Sequence, residues 1–189
     1  MKRIDLTNVK EAGDFSRPEA GAYICAITKV EDFPDREYLR VQYDIIDGEF
    51  RGYYTELRKK YPDSPWLGAY VKSYKSTALP MFKRFCSAVS KSNGSFVFDG
   101  NAINADERTL VKKKVGLVLG EEEYYGNDGE LKTRLYVNKE FPISDIDKQK
   151  APAIKKLKED SRQSAPASSP ALDGFLSIPT GIDEELPFA

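Results

Sequence analysis

The chain has 189 residues, with 29 Lys and Arg against 30 Asp and Glu, no histidine and two cysteines. Without histidine it lacks the commonest general base and the commonest metal ligand, and two distant cysteines support neither a zinc site nor a disulfide framework. Composition therefore argues against an enzyme and against a cofactor. No stretch is apolar over the roughly eighteen residues that a membrane helix needs, and the start Met1-Lys2-Arg3-Ile4-Asp5 leads into no signal-like apolar run, so a cytoplasmic protein with no membrane partner is expected.

Charge is unevenly placed along the chain. From Glu159 onward six acids face Arg162 alone, which puts −5 on the tail and +4 on residues 1–158 within a total of −1. A mildly basic body with an acidic tail suits a domain that binds a polyanion.

After the turn-like Ser16-Arg17-Pro18-Glu19-Ala20-Gly21, the β-rich run Ala22–Val30 reads as a first, central strand with Cys25 in its apolar pattern. Tyr38–Ile45 alternates with period two: Leu39, Val41, Tyr43 and Ile45 point one way, Tyr38, Arg40, Gln42 and Asp44 the other. Asp47-Gly48 is a strong hairpin signal, and it predicts a third strand over Glu49–Glu56 paired with the second. A polar loop, Lys59 to Trp66, follows. Leu79, Phe82, Phe85, Cys86 and Val89 then recur at helical spacing, with Thr77 as the predicted N-cap, Pro80 in the first turn and Asn93-Gly94 as the stop. The runs Lys114–Glu121 and Lys132–Val137 read as strands four and five, joined across Asn127-Asp128-Gly129. Three strands, a helix and two strands give a mainly β fold in the chain order of the five-stranded OB-fold Greek-key barrel, with one helix between strands three and four. From Asp160 to Pro179 the chain is rich in Ser, Ala and Pro and buries too little apolar surface to order itself. The expected organisation is a binding domain over 1–158 and a disordered linker with an acidic tail over 159–189.

The alternation leaves a set of aromatic and cationic side chains facing out: Tyr38, Arg40, Gln42, Arg51 and Tyr53 on strands two and three; Lys132, Arg134 and Tyr136 on strand five; Tyr124 and Tyr125 at the hairpin tip. Lys59, Lys60, Tyr61 and Trp66 on the loop extend it, or Trp66 caps the barrel. Rings interleaved with cations are what single strands require, because bases stack on the rings while Lys and Arg follow the phosphates. Any one of these residues is equally at home on an ordinary solvated sheet; the reading rests on their coincidence on the strands of an OB groove. Lys112-Lys113-Lys114, entering strand four, reads as a solvated edge that deters strand pairing.

The tail ends Asp183-Glu184-Glu185-Leu186-Pro187-Phe188-Ala189. It resembles the C-terminal tip of bacterial and phage single-stranded DNA-binding proteins, where acids before a Pro-Phe end recruit replication and repair proteins. The body runs Lys72–Phe85 with Ala88–Asn93, and Gly116–Glu130, are similar to a phage family of single-stranded DNA-binding-like proteins encoded beside recombination genes. This resemblance covers roughly residues 15 to 158. It implies an OB-fold protein that coats and protects single-stranded DNA in phage or mobile-element replication, recombination and repair inside a bacterial host cell, and that docks partners through Asp183, Glu184, Glu185, Leu186, Pro187 and Phe188. Ala189 after Phe188 departs from the pattern, since the related tails end on Phe. Self-association is left open. The alternative is an OB-like protein–protein adaptor or inhibitor that binds no nucleic acid.

Overall fold

A computed structural model describes residues 17–100, 105–126 and 128–157, all but Leu157 in the first of two units, Met1–Lys156 and Leu157–Ala189, into which the chain divides. Five antiparallel strands form one sheet: β1 (Gly21–Phe33), β2 (Tyr38–Ile45), β3 (Ala69–Ser73), β4 (Lys114–Tyr125) and β5 (Leu131–Phe141). Two helices accompany them, α1 (Tyr53–Lys60) and α2 (Leu79–Ser92). The strand order is β3-β2-β1-β4-β5, so β1 lies at the centre.

The inward rows follow the alternation of the sequence. Cys25 and Ile27 of β1, Leu39, Val41, Tyr43 and Ile45 of β2, and Val115, Leu117 and Leu119 of β4 make one core with Phe85, Cys86, Ala88 and Val89 of α2. Burying such side chains is the main favourable term in folding, about 1.5–3 kcal/mol for each large apolar residue. β1 serves two partners by means of a bulge: its first half pairs with β4, its second half pairs with β2, and the register shifts between Ile27 and Lys29.

The expected third strand over Glu49–Glu56 is not formed. Asp47-Gly48 does turn the chain, with Gly48 at φ +79°, but the Gly52 N–H returns to the Ile45 carbonyl and helix α1 begins. The Asp44 carboxylate accepts the Tyr54 and Thr55 N–H groups, two of the donors a helix start leaves unpaired. Tyr54 then packs edge-on against Tyr43, ring centroids 5.2 Å apart. The true β3 comes after the loop. Gly68 makes its entry possible, because a Cβ there would stand 2.6 Å from the Tyr43 carbonyl oxygen, where the Tyr43 N–H meets the Gly68 carbonyl at 2.7 Å.

Helix α2 is where periodicity placed it, with one correction. Thr77 is not its N-cap; a short 3-10 turn, Ser76–Ala78, leads in, and Ala78 occupies the cap position without a side-chain hydrogen bond. Pro80 in the first turn lacks an N–H that would find no partner there anyway. Asn93 ends the helix and Gly94 follows at φ +63°.

The sheet does not close into a barrel, since β3 and β5 form its two edges and are not hydrogen-bonded to each other. Side chains nevertheless join them. Lys72 of β3 and Glu140 of β5 meet at 2.6 Å with side chains 8% and 1% exposed, and Arg84 of α2 stands 3.6 Å from the other carboxylate oxygen. Both residues lie on the core side, opposite Leu39 and Leu117 respectively.

Candidate nucleic-acid interface

The outer row of β2 is the part of the expected site that the structure retains on one face. Arg40 and Gln42 are half-buried there, opposite Glu31 and Lys29 of β1 on one side and Val71 and Ala69 of β3 on the other. Tyr38 shares the row but is only 6% exposed, because Phe33 stacks on it with centroids 4.9 Å apart. A ring so covered offers no free face to a base; on this row Phe33, half-buried, is the outer member of the stack.

Arg51 and Tyr53 leave the row altogether. Misassigning the third strand put them beside β2, whereas Arg51 sits in the turn before α1 and Tyr53 opens that helix, wedged edge-on between Phe50 and Tyr54. Lys59 and Lys60 lie at the other end of α1. Lys59 pairs with Glu56 one turn earlier at 2.7 Å, and the Lys60 ammonium stands 5.5 Å from the centre of the Tyr61 ring, itself 49% exposed. Trp66 is committed to the fold: its indole N–H donates to the Tyr43 and Gly68 carbonyls at 3.1 and 3.0 Å. A cleft of about 300 Å³ separates α1 from this loop, lined by Tyr54, Leu57, Arg58, Tyr61 and Trp66.

On the β4–β5 hairpin the expected residues do stand together. Tyr124 is opposite Lys132, and Glu122 opposite Arg134. The cations are neutralised, however: Arg134 pairs with Glu122 at 2.7 Å and lies over the Tyr124 ring at 5.4 Å, while Lys132 pairs with Asp128. Tyr125 is 41% exposed at the tip. Tyr136 is covered by residues that follow β5. Lys155 bridges to the free edge of β4, donating to the Glu121 carbonyl and accepting from the Glu123 N–H, and its ammonium lies 5.7 Å from the Tyr136 ring centre. Pro152 closes over Gly120, where a Cβ would be 2.8 Å from it. A 3-10 turn over Ile143–Lys148 packs on β1 and β4, and Val118, on that outer face, is fully buried. This strap divides the expected site into a β2 face and a hairpin.

The docking residues Asp183, Glu184, Glu185, Leu186, Pro187 and Phe188 lie outside the described residues. Among the described residues no group of three or more Cys, Asp or Glu is placed to hold a metal ion, and no helix is long and apolar enough to cross a membrane. Both cysteines are buried and free. Burial pushes the Cys86 thiol up to about 11 and the Cys25 thiol higher still, so neither is a thiolate near neutral pH. No protein-family model matches the chain, and no curated protein matches it.

Proposed function

We propose that this protein binds single-stranded DNA, without catalysis, on the outer face of β2 and β3, and that it acts in phage or mobile-element replication and recombination. The observation that carries the reading is the connectivity: order β3-β2-β1-β4-β5 with α2 between β3 and β4 is that of an OB-fold barrel opened at one seam, with Lys72 and Glu140 drawing the two edges together. OB-folds are partly open barrels that take oligonucleotides on the strand two and three face. Here that face carries Phe33, Arg40 and Gln42 beside the exposed Val71, a mixture of ring, cation and amide suited to bases and phosphates. The acidic end of the tail serves in this reading to recruit replication and recombination proteins, and deleting residues 160–189 is expected to abolish their capture while strand affinity stays equal or rises.

Titrating the purified chain with fluorescent oligo-dT, against a duplex of equal length, tests the reading. Single strands are expected to bind far better, with affinity falling as salt rises. Equal affinity for both forms, or no binding at low salt, would sink it. One observation favours an adaptor in that event: Leu79 and Met81 of α2 are each 49% exposed beside a groove lined by Phe82, Cys86 and Phe98.

A further inference from the structure

We infer that the lysine turn Lys112-Lys113-Lys114 is a phosphate-binding surface that carries a bound single strand from the β2 face across β1, away from the β4–β5 hairpin. This rests on the single-strand reading above and specifies the strand's path.

Two observations place the backbone of the turn and Lys114 on the binding face, and a third shows how the turn is anchored, with Lys113 turned to the core side. First, it is anchored at the β1 bulge: the Lys112 N–H donates to the Ile27 carbonyl and the Ile27 N–H to the Lys113 carbonyl, close in the chain to Lys29, which faces Gln42 across β1–β2. Second, Lys114 pairs in register with Ala26, and Ala26 with Asp44 of β2. Val115 next to it points into the core, so Lys114 lies on the outer face, two strand spacings or about 10 Å from β2. Ten residues separate it from Tyr124, about 33 Å along β4, and the strap over Gly120 and Val118 lies between. Third, the turn is tied to the end of α2 and to Phe96. Asn93 at the end of α2 grips the Lys114 backbone twice, donating to its carbonyl at 2.8 Å and accepting its N–H at 2.9 Å, and the Lys113 ammonium rests 4.2 Å from the centre of the Phe96 ring.

Charge separates the lysine turn from the hairpin and also from Lys29, which pairs with Glu31 at 2.7 Å. On the hairpin, Lys132 and Arg134 are each paired with an acid. Among the described residues Lys91, Lys112, Lys113 and Lys114 form no ion pair, and the nearby acids are already engaged, Asp106 capping the Arg108 N–H and Glu107 lying 3.8 Å from the Arg108 guanidinium. Lys112 also has φ +68°, a conformation that favours glycine.

The full-length chain carrying K112Q/K113Q/K114Q, titrated with oligo-dT over a range of salt, tests this. Each phosphate left without its lysine lowers the slope of log affinity against log salt by about 0.7 for single strands, so with Lys112 and Lys114 as the contacts the slope is expected to fall by about 1.4 and low-salt affinity by about tenfold. A K132Q/R134Q variant should stay within about twofold of the parent, because the hairpin lies about 33 Å from the proposed path, and the charge changed there is screened over about 10 Å at 0.1 M salt. K112G/K114Q, which relaxes the backbone at 112 and leaves Lys113 on Phe96, should show nearly the same fall and guards against misfolding of the triple variant. An unchanged slope in the triple variant, or an equal fall in the hairpin variant, overturns the proposed path while leaving single-strand binding intact. Binding of polyglutamate that needs these lysines, with oligo-dT indifferent to them, overturns it in favour of an acidic protein partner. Absence of oligo-dT binding by the parent chain removes the functional reading and this inference with it.

Discussion

Glu140 and Tyr70 show how much of this molecule depends on single buried atoms. The Glu140 carboxylate stands between Lys72 and Arg84 at the seam. Glu140→Gln leaves the Lys72 ammonium buried without a countercharge, and such a change should cost about 3–5 kcal/mol. Replacing both partners, as in K72M/E140L, should recover most of that stability, because apolar residues of similar volume often substitute for a buried pair. Urea unfolding of the three proteins checks this, and a Gln variant as stable as the parent would show the seam to be solvated. Tyr70 is the converse case. Its hydroxyl is buried without a hydrogen-bond partner, so Tyr70→Phe removes an unsatisfied group and should leave stability unchanged or raise it by about 1 kcal/mol. A lower urea midpoint would mean that the hydroxyl is bonded through ordered water.

At the scale of elements, helix α1 is the instructive one. Eight residues are too few for a helix to stand alone in water, so α1 depends on Asp44 holding its first N–H groups and on Tyr54 seated against Tyr43. Asp44→Ala should cost about 1–2 kcal/mol, in the range of a missing N-cap, and amide exchange should quicken in residues 53–60 before it does in β2. Uniform exchange in the variant would argue that the helix is held by packing alone. The same element shows why part of the sequence misleads. Asp47-Gly48 between apolar runs is a hairpin signal on local grounds, and the competing signal, Glu56 before Lys59 and Lys60 at helical spacing, is weaker than the carboxylate that captures the helix start from ten residues away. The real β3 is hard to read because it is five residues long and turns Lys72 inward, which breaks the apolar alternation by which strands are recognised. In contrast, β1, β2, α2, β4 and β5 are legible, since each repeats apolar residues at its own period against one core.

For the whole molecule, burial sets the response to pH. Tyr43, Tyr54 and Tyr70 hold their hydroxyls above the ordinary value of 10.0 because burial disfavours the phenolate, and Cys86 is raised from 9.0 to about 11 for the same reason. These groups release protons from the unfolded chain first, so their contribution to stability is full below pH 9.0 and is lost as pH rises, for Cys86 between 9.0 and about 11. Urea midpoints measured from about pH 7 upward should hold level and then fall through this window. A midpoint that stayed flat to about pH 11 would show that the core hydroxyls and thiols reach water in the folded state.

The sequence by itself determined which segments are strands at the centre of the sheet, where the long helix lies and which rows face inward, because those properties depend on residues a few positions apart and on the exclusion of water from apolar side chains. It also put rings and cations on the outer face of β2. The tertiary structure decided the remainder: that Phe33 covers Tyr38, that the strap over β4 parts the hairpin from the β2 face, that acids neutralise Lys132 and Arg134, and that the turn Lys112-Lys113-Lys114 is anchored at the β1 bulge near Lys29 and Gln42. Each of these brings together residues that local periodicity does not relate, and whether a side chain is stacked, paired or open to a ligand depends on such neighbours.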